Sequence, residues 1–194
     1  MLPKSCYFQL RQLRVVRRSL PSNILRTLLQ AFITCRLDYC NSLLVGLPAC
    51  DASRLQYCQN AAGRLFGGIS RYDAVEHVLR DKLNWLPIVQ IIKFKVRLFG
   101  YKAINGLAPP YLKDFFVPVS SISSLSRNQS AARGDFTISS ATKNITYRRR
   151  SFAVAEPRLW NSLPFEIHSF SSLPMFRSRL KNFLFSEAYT ISAS

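Results

Sequence analysis

The chain has 194 residues, of which 27 are Lys or Arg and 10 are Asp or Glu, a formal net charge of +17. With 48% apolar residues it can bury a core, which argues against disorder throughout. Self-repulsion on this scale points to a polyanionic partner, nucleic acid first and an acidic membrane surface second.

Residues 5–18 read as a helix in which Arg11, Arg14 and Arg18 share a face at i, i+3, i+7 spacing, with Arg17 beside them. Pro21 and Ser22 open a second helix, which Gly46 and Pro48 close. Within it Thr27, Gln30, Thr34, Asp38 and Asn41 form one polar stripe, expected to be a solvated or interhelical face. Arg36 instead falls on the apolar face, amid Leu25, Leu29, Phe32 and Leu43. Asp38, two residues on, points to the other side and cannot pair with it within the helix. Arg36 is therefore expected to be a structural latch onto a neighbouring segment, with a phosphate contact as the alternative.

A third helix runs from about Asp51 to Phe66 and stops at Gly67-Gly68, which lacks the Lys-Ser/Thr of a phosphate loop. "DAVE" offers Asp73 as N-cap with Glu76 three residues on, opening a short helix through Leu83. After "WLP", Pro87 suits the first turn of a long helix ending near Asn105-Gly106. Its apolar stripe is Ile88, Ile92, Val96, Phe99 and Ala103, and Lys93 and Arg97 lie away from it.

Between Val117 and about Arg150 the texture changes. Serines cluster at 120–130, and "DFTIS" and "NITY" suggest one or two short strands within a loop. The helical pattern returns in "SFAVAEPRLWNSLP" and in a last helix, Pro174 to Tyr189, with core positions Leu173, Phe176, Leu180 and Phe183. The expected fold class is mainly α: a helical bundle over 1–116, a linker-like loop with short strands over 117–150, and a C-terminal helical region over 151–194.

The five cysteines, Cys6, Cys35, Cys40, Cys50 and Cys58, are odd in number and contain no C-x-x-C pair, and His77 and His168 are distant in sequence. Neither a disulfide framework nor a zinc site is expected, and the thiols read as reduced, small apolar residues. No cofactor or metal is expected. No apolar run reaches the roughly 20 residues of a membrane-spanning helix, and Met1 to Leu13 has no apolar signal-peptide core. An intracellular setting, cytoplasm or nucleus, is expected, with no membrane partner.

The basic residues remain. Arg11, Arg14, Arg17 and Arg18 form one candidate nucleic-acid patch, and Lys93, Arg97 and Lys102 a second. In "YRRRSF", Tyr147, Arg148, Arg149 and Arg150 with Phe152 place three arginines between two aromatics, which suits phosphate contact plus base stacking. The alternative there is a solvated turn whose aromatics anchor in the core. Trp85 and Trp160, each followed closely by Leu and Pro, read as core anchors.

"RLDYCNSLLVGLP", "RLQYCQNAAGRLF", "LNWLPI", "IIKFKV", "AINGLAPPYL", "FAVAEPRLWNSLP" and "FRSRLKNFLF", in this order, resemble the C-terminal region of reverse transcriptases of LINE-type (non-LTR), jockey-like retrotransposons. The resemblance runs from about Lys4 to Tyr189. The chain departs from the family pattern at Asn84 in "LNWLP", at "YRRRSF" where the family commonly reads "YGDRAF", and at Glu156 in "AEPRLWN". The resemblance implies thumb-like helices after the palm and a grip on template RNA and target DNA, with the upstream palm as partner. Polymerisation in that family uses paired palm aspartates that hold two metal ions. No two of the ten acidic residues here are adjacent, so this part alone is not expected to be an enzyme. The alternative is a helical protein-interaction adaptor, using surfaces that the palm would otherwise cover.

Overall fold

The computed structural model describes residues 2–38, 48–108, 119, 135–136, 152–168 and 172–190, and these are mainly helical. They form two compact units, one from the described residues up to Ile91 and one from Ile92 onward. Among the described residues no helix is long and apolar enough to cross a membrane.

The first unit opens with α1 (Leu2–Val16), which buries Cys6, Leu10 and Leu13 and ends in a 3-10 turn at Arg17–Ser19. After extended Leu20, the Pro21 carbonyl accepts from the Leu25 amide at 3.0 Å and starts α2 (Ser22–Leu29). The winding widens to a π turn at Gln30–Thr34 before α3 (Cys35–Asp38). Leu25, Leu29, Ile33 and Leu37 are buried at a strict spacing of four. An unbroken α-helix would drift such a series by about 40° per step, and the wider π turn removes part of that drift. The C-terminal part of the expected helix, 39–47, lies outside the described residues.

α4 (Ala49–Gly67) follows Pro48, whose carbonyl accepts from Asp51 and Ala52. It stops at Gly68, whose left-handed backbone (φ +66°) lets its amide close onto the Arg64 carbonyl at 2.9 Å. Gly63 lets the next segment come against α4. A Cβ at Gly63 would stand 2.7 Å from Leu79 Cδ2 and 2.9 Å from Val75 Cγ2.

The helix expected through Leu83 forms, but as a π-wound segment over Val78–Leu83. Asp73 does not cap it: the Asp73 carboxylate accepts from the Ser70 amide at 2.7 Å, one turn earlier. The segment ends at Asn84 (φ 56°), with the Trp85 amide donating to the Leu79 carbonyl at 2.8 Å. Asn tolerates this left-handed conformation better than most residues because its short polar side chain bonds locally.

Three glutamines tie down the "WLP" break. Gln30 Oε1 accepts from Trp85 Nε1 (3.2 Å), and Gln59 Nε2 donates to the Leu86 carbonyl (2.8 Å). Gln56 Oε1 accepts from the Ile88 amide (2.9 Å), an otherwise unpaired donor at the start of α5 (Ile88–Ile104). Side-chain amides thus replace backbone partners where proline interrupts the helices.

The second unit contains most of α5, α6 (Phe152–Asn161), α7 (Phe165–His168) and α8 (Leu173–Thr190). α5 ends before Gly106 (φ +69°). The core is aromatic. Tyr101 stacks on Phe176 with centroids 4.2 Å apart, and Trp160 lies 5.9 Å from Phe176 and 4.7 Å from His168. On α8 the buried series is Phe176, Leu180 and Leu184, and Phe183 is half-buried beside it. Of the expected strand "DFTIS", Asp135 and Phe136 are described; the Asn161 amide bonds both Phe136 N and Phe136 O at 3.0 Å, as a strand partner would. The rest of that strand and all of "NITY" lie outside the described residues.

Candidate nucleic-acid interface

α1 packs on α4, and the two helices with the turns that follow them border an open cleft of about 1040 Å³. Its walls carry four arginines, Arg14 and Arg17 from the end of α1 and Arg64 and Arg71 from α4 and the following turn, together with Tyr7 and Tyr57. None of the described residues lining it is acidic.

Helical spacing explains the arrangement. On α4, Tyr57, Asn60, Arg64 and Gly68 follow one another at i, i+3, i+7 and i+11, a single stripe. On α1, Tyr7 and Arg14 are likewise seven residues apart. Each helix therefore offers a tyrosine and, two turns on, an arginine, while Cys6, Leu10, Leu55, Cys58 and Ala62 fill the core behind them.

Arg17 lies against Gly68, where any Cβ would overlap its guanidinium. That places a cation beside the C-terminal end of α4, where the aligned carbonyls favour positive charge. Arg17 Nε and Arg64 Nε are both buried without a hydrogen-bond partner among the described residues. Arg64 Nη2 has only a long contact, 3.5 Å, to the Asp73 carbonyl. A buried donor without an acceptor costs about 1–3 kcal/mol, and the guanidinium groups that line the cleft make it suited to an anion.

Burial pushes the Tyr7 phenol up, and the Cys58 sulfur beside it adds to the shift, so Tyr7 is a neutral side chain. Behind it lie the buried thiols of Cys6 and Cys58, close enough to interact. Their interaction, helped by Arg36, brings Cys6 down to about 7, and with burial it raises Cys58.

The other sequence candidates are dispersed. Arg11 and Arg18 are exposed but do not line the cleft. Arg36 donates to Ser5 Oγ, joining α3 to α1. Lys93 Nζ forms an ion pair with Glu187 Oε1 at 2.6 Å, and Lys102 is half-buried on the last turn of α5.

Arg97 corrects the expectation that it faces a nucleic acid. It is only 3% exposed, donates from Nε to the Leu159 carbonyl (3.0 Å) and from Nη2 to Ser162 Oγ (3.1 Å), and lies over the Phe183 ring. Burial lowers its pKa, and Glu187 opposes that shift. Tyr147, Arg148, Arg149 and Arg150 lie outside the described residues.

Arg64 and Arg71 were not among the candidates. A signal existed in the tyrosine–arginine spacing of seven, which occurs at Tyr7 and Arg14 and again at Tyr57 and Arg64. Comparison of the chain with protein-family models, with characterised proteins and with solved structures found no match.

Proposed function

We propose that this chain is the C-terminal, post-palm part of a LINE-type reverse transcriptase, and that it binds nucleic acid through phosphates without marked sequence preference. The observation that carries the binding reading is the cleft at α1 and α4, with four arginines, two tyrosines and no acidic residue among its described lining. The ordered motifs from "RLDYCNSLLVGLP" to "FRSRLKNFLF" support the family reading. The role is a grip on RNA or DNA within a larger enzyme whose palm supplies the chemistry.

Binding of this kind is recognised by its salt dependence. Four arginine–phosphate contacts predict a log–log slope of about −3 on single strands, at roughly 0.7 per phosphate. The check is fluorescence anisotropy of labelled RNA and DNA across a salt series. A flat response, or no binding by folded protein at low salt, would overturn the reading in favour of a helical adaptor, because apolar docking does not weaken with salt. The isolated chain should incorporate no dNTP on a primed template with Mg²⁺, since its sequence contains no adjacent pair of acidic residues to hold two metals.

A further inference from the structure

Resting on that reading, we infer that the α1/α4 cleft selects a single strand over a duplex: Arg17 and Arg64 seat a backbone phosphate at its base, and Tyr57 stacks on an unpaired base about two helical turns away. Three observations converge. The first is that Arg17 and Arg64 both line the cleft, which has no carboxylate among its described lining residues. A phosphate oxygen is an acceptor that enters such a space and takes charge-assisted bonds from guanidinium groups.

The second is Tyr57, 61% exposed although aromatic, on the same α4 stripe as Arg64. Seven residues of helix separate the two by about 10 Å, so the ring and the guanidinium can meet one strand at neighbouring positions. Aromatic stacking needs the open face of a base. Paired bases hide their faces within the helix, and unpaired bases present them.

The third is size. At about 1040 Å³ the cleft has the dimensions of a small-ligand pocket. That volume matches a few nucleotides of one chain. Tyr7, 46% exposed on the opposing α1 stripe, widens the aromatic surface along the same path.

The test uses the full chain and fluorescein-labelled oligonucleotides of about ten nucleotides, within the usual site size of a single-strand binder. One is a uniform thymidine strand and one a duplex of equal length, both read by anisotropy at fixed salt. The strand is expected to bind at least about tenfold more tightly than the duplex, given stacking and phosphate seating together. Tyr57→Leu should weaken strand binding by about fivefold or more and leave duplex binding unchanged. The double variant Arg17→Gln, Arg64→Gln should weaken strand binding by about tenfold or more. Arg11→Gln with Arg18→Gln, exposed on α1 and on the 3-10 turn that follows it, should weaken strand and duplex by the same factor.

Because Tyr57 is exposed, its variant reports on the cleft even if the double arginine variant fails to fold. Equal affinity for strand and duplex with Tyr57→Leu silent would overturn this inference and leave the general nucleic-acid reading standing. Absence of binding to either probe by folded wild-type protein would overturn both.

Discussion

Arg17 and Arg64 in the first unit and Arg97 in the second are the same residue type at helical positions, yet they meet opposite fates. Around the α1/α4 cleft the guanidinium groups gather with no carboxylate among the described lining residues, and two Nε atoms are buried without partners among the described residues. On α5, Arg97 is drawn inward to the Leu159 carbonyl and Ser162 Oγ, and Lys93 one turn earlier is paired with Glu187. The first arrangement is costly for the isolated fold and suited to an anionic ligand. In the second, Nε and Nη2 of Arg97 go to internal bonds and, although Nη1 is likewise buried without a partner among the described residues, the group is only 3% exposed and has little to offer a ligand. Net charge alone therefore does not count binding residues.

This contrast is sharpest in Arg97. Arg97→Ala removes the bonds to the Leu159 carbonyl and Ser162 Oγ and opens space beside Phe183, so it should lower stability by about 2–4 kcal/mol, read by urea unfolding. Nucleic-acid binding by the folded fraction should be unchanged. A variant that keeps its melting curve but loses binding would move Arg97 into the same class as the cleft arginines.

Gly63→Val attacks the scaffold behind the cleft. Its side chain would drive into Leu79 and Val75, and overpacking of this kind costs about 1–3 kcal/mol. Thermal melts should show the loss, and a neutral result would mean that the 75–83 segment can shift away from α4.

The arginines of the cleft should behave in reverse. Arg17→Gln with Arg64→Gln should leave the melt within about 1 kcal/mol of wild type or raise it, because two unpartnered donors are removed. The salt slope should become shallower by about 1.4, at roughly 0.7 per phosphate. A strongly lowered melt would show that these groups hold the fold together as Arg97 does.

The smallest effect is expected at Lys93→Ala. The ion pair with Glu187 is partly exposed, 26% and 29% for the two side chains, and such pairs contribute about 1 kcal/mol or less. Equilibrium unfolding in low and high salt should show a small difference that shrinks with salt. Thiol labelling of the native protein gives a further check on the first unit: exposed Cys35 and Cys50 should react readily, and buried Cys6 and Cys58 only on unfolding.

Much of this was readable from local pattern. The helix starts at Ser22 and after Pro87, the stop at Gly67-Gly68 and the core positions Ile88, Ile92, Val96, Phe176 and Leu180 follow from periodicity and capping. Arg14 and Arg17 were readable as part of a basic cluster, but their companions Arg64 and Arg71 were not, because each stands alone in its own segment. Asp73 shows the limit of a motif. Its capping-box spacing is real, yet the carboxylate reaches the nearer Ser70 amide first.

By itself the sequence determined a mainly helical, strongly basic chain and the face each side chain takes on its own helix, because charge is a sum and the helical period is local. Only the tertiary structure decided what stands opposite each face. Arg97 lies off the apolar stripe of α5 and is nonetheless buried, because its partner carbonyl comes from a segment 62 residues away. The glutamines that hold the "WLP" break and the pairing of the Tyr7–Arg14 stripe with the Tyr57–Arg64 stripe have the same origin. A helical wheel fixes direction about one axis, and packing fixes which axis is the neighbour.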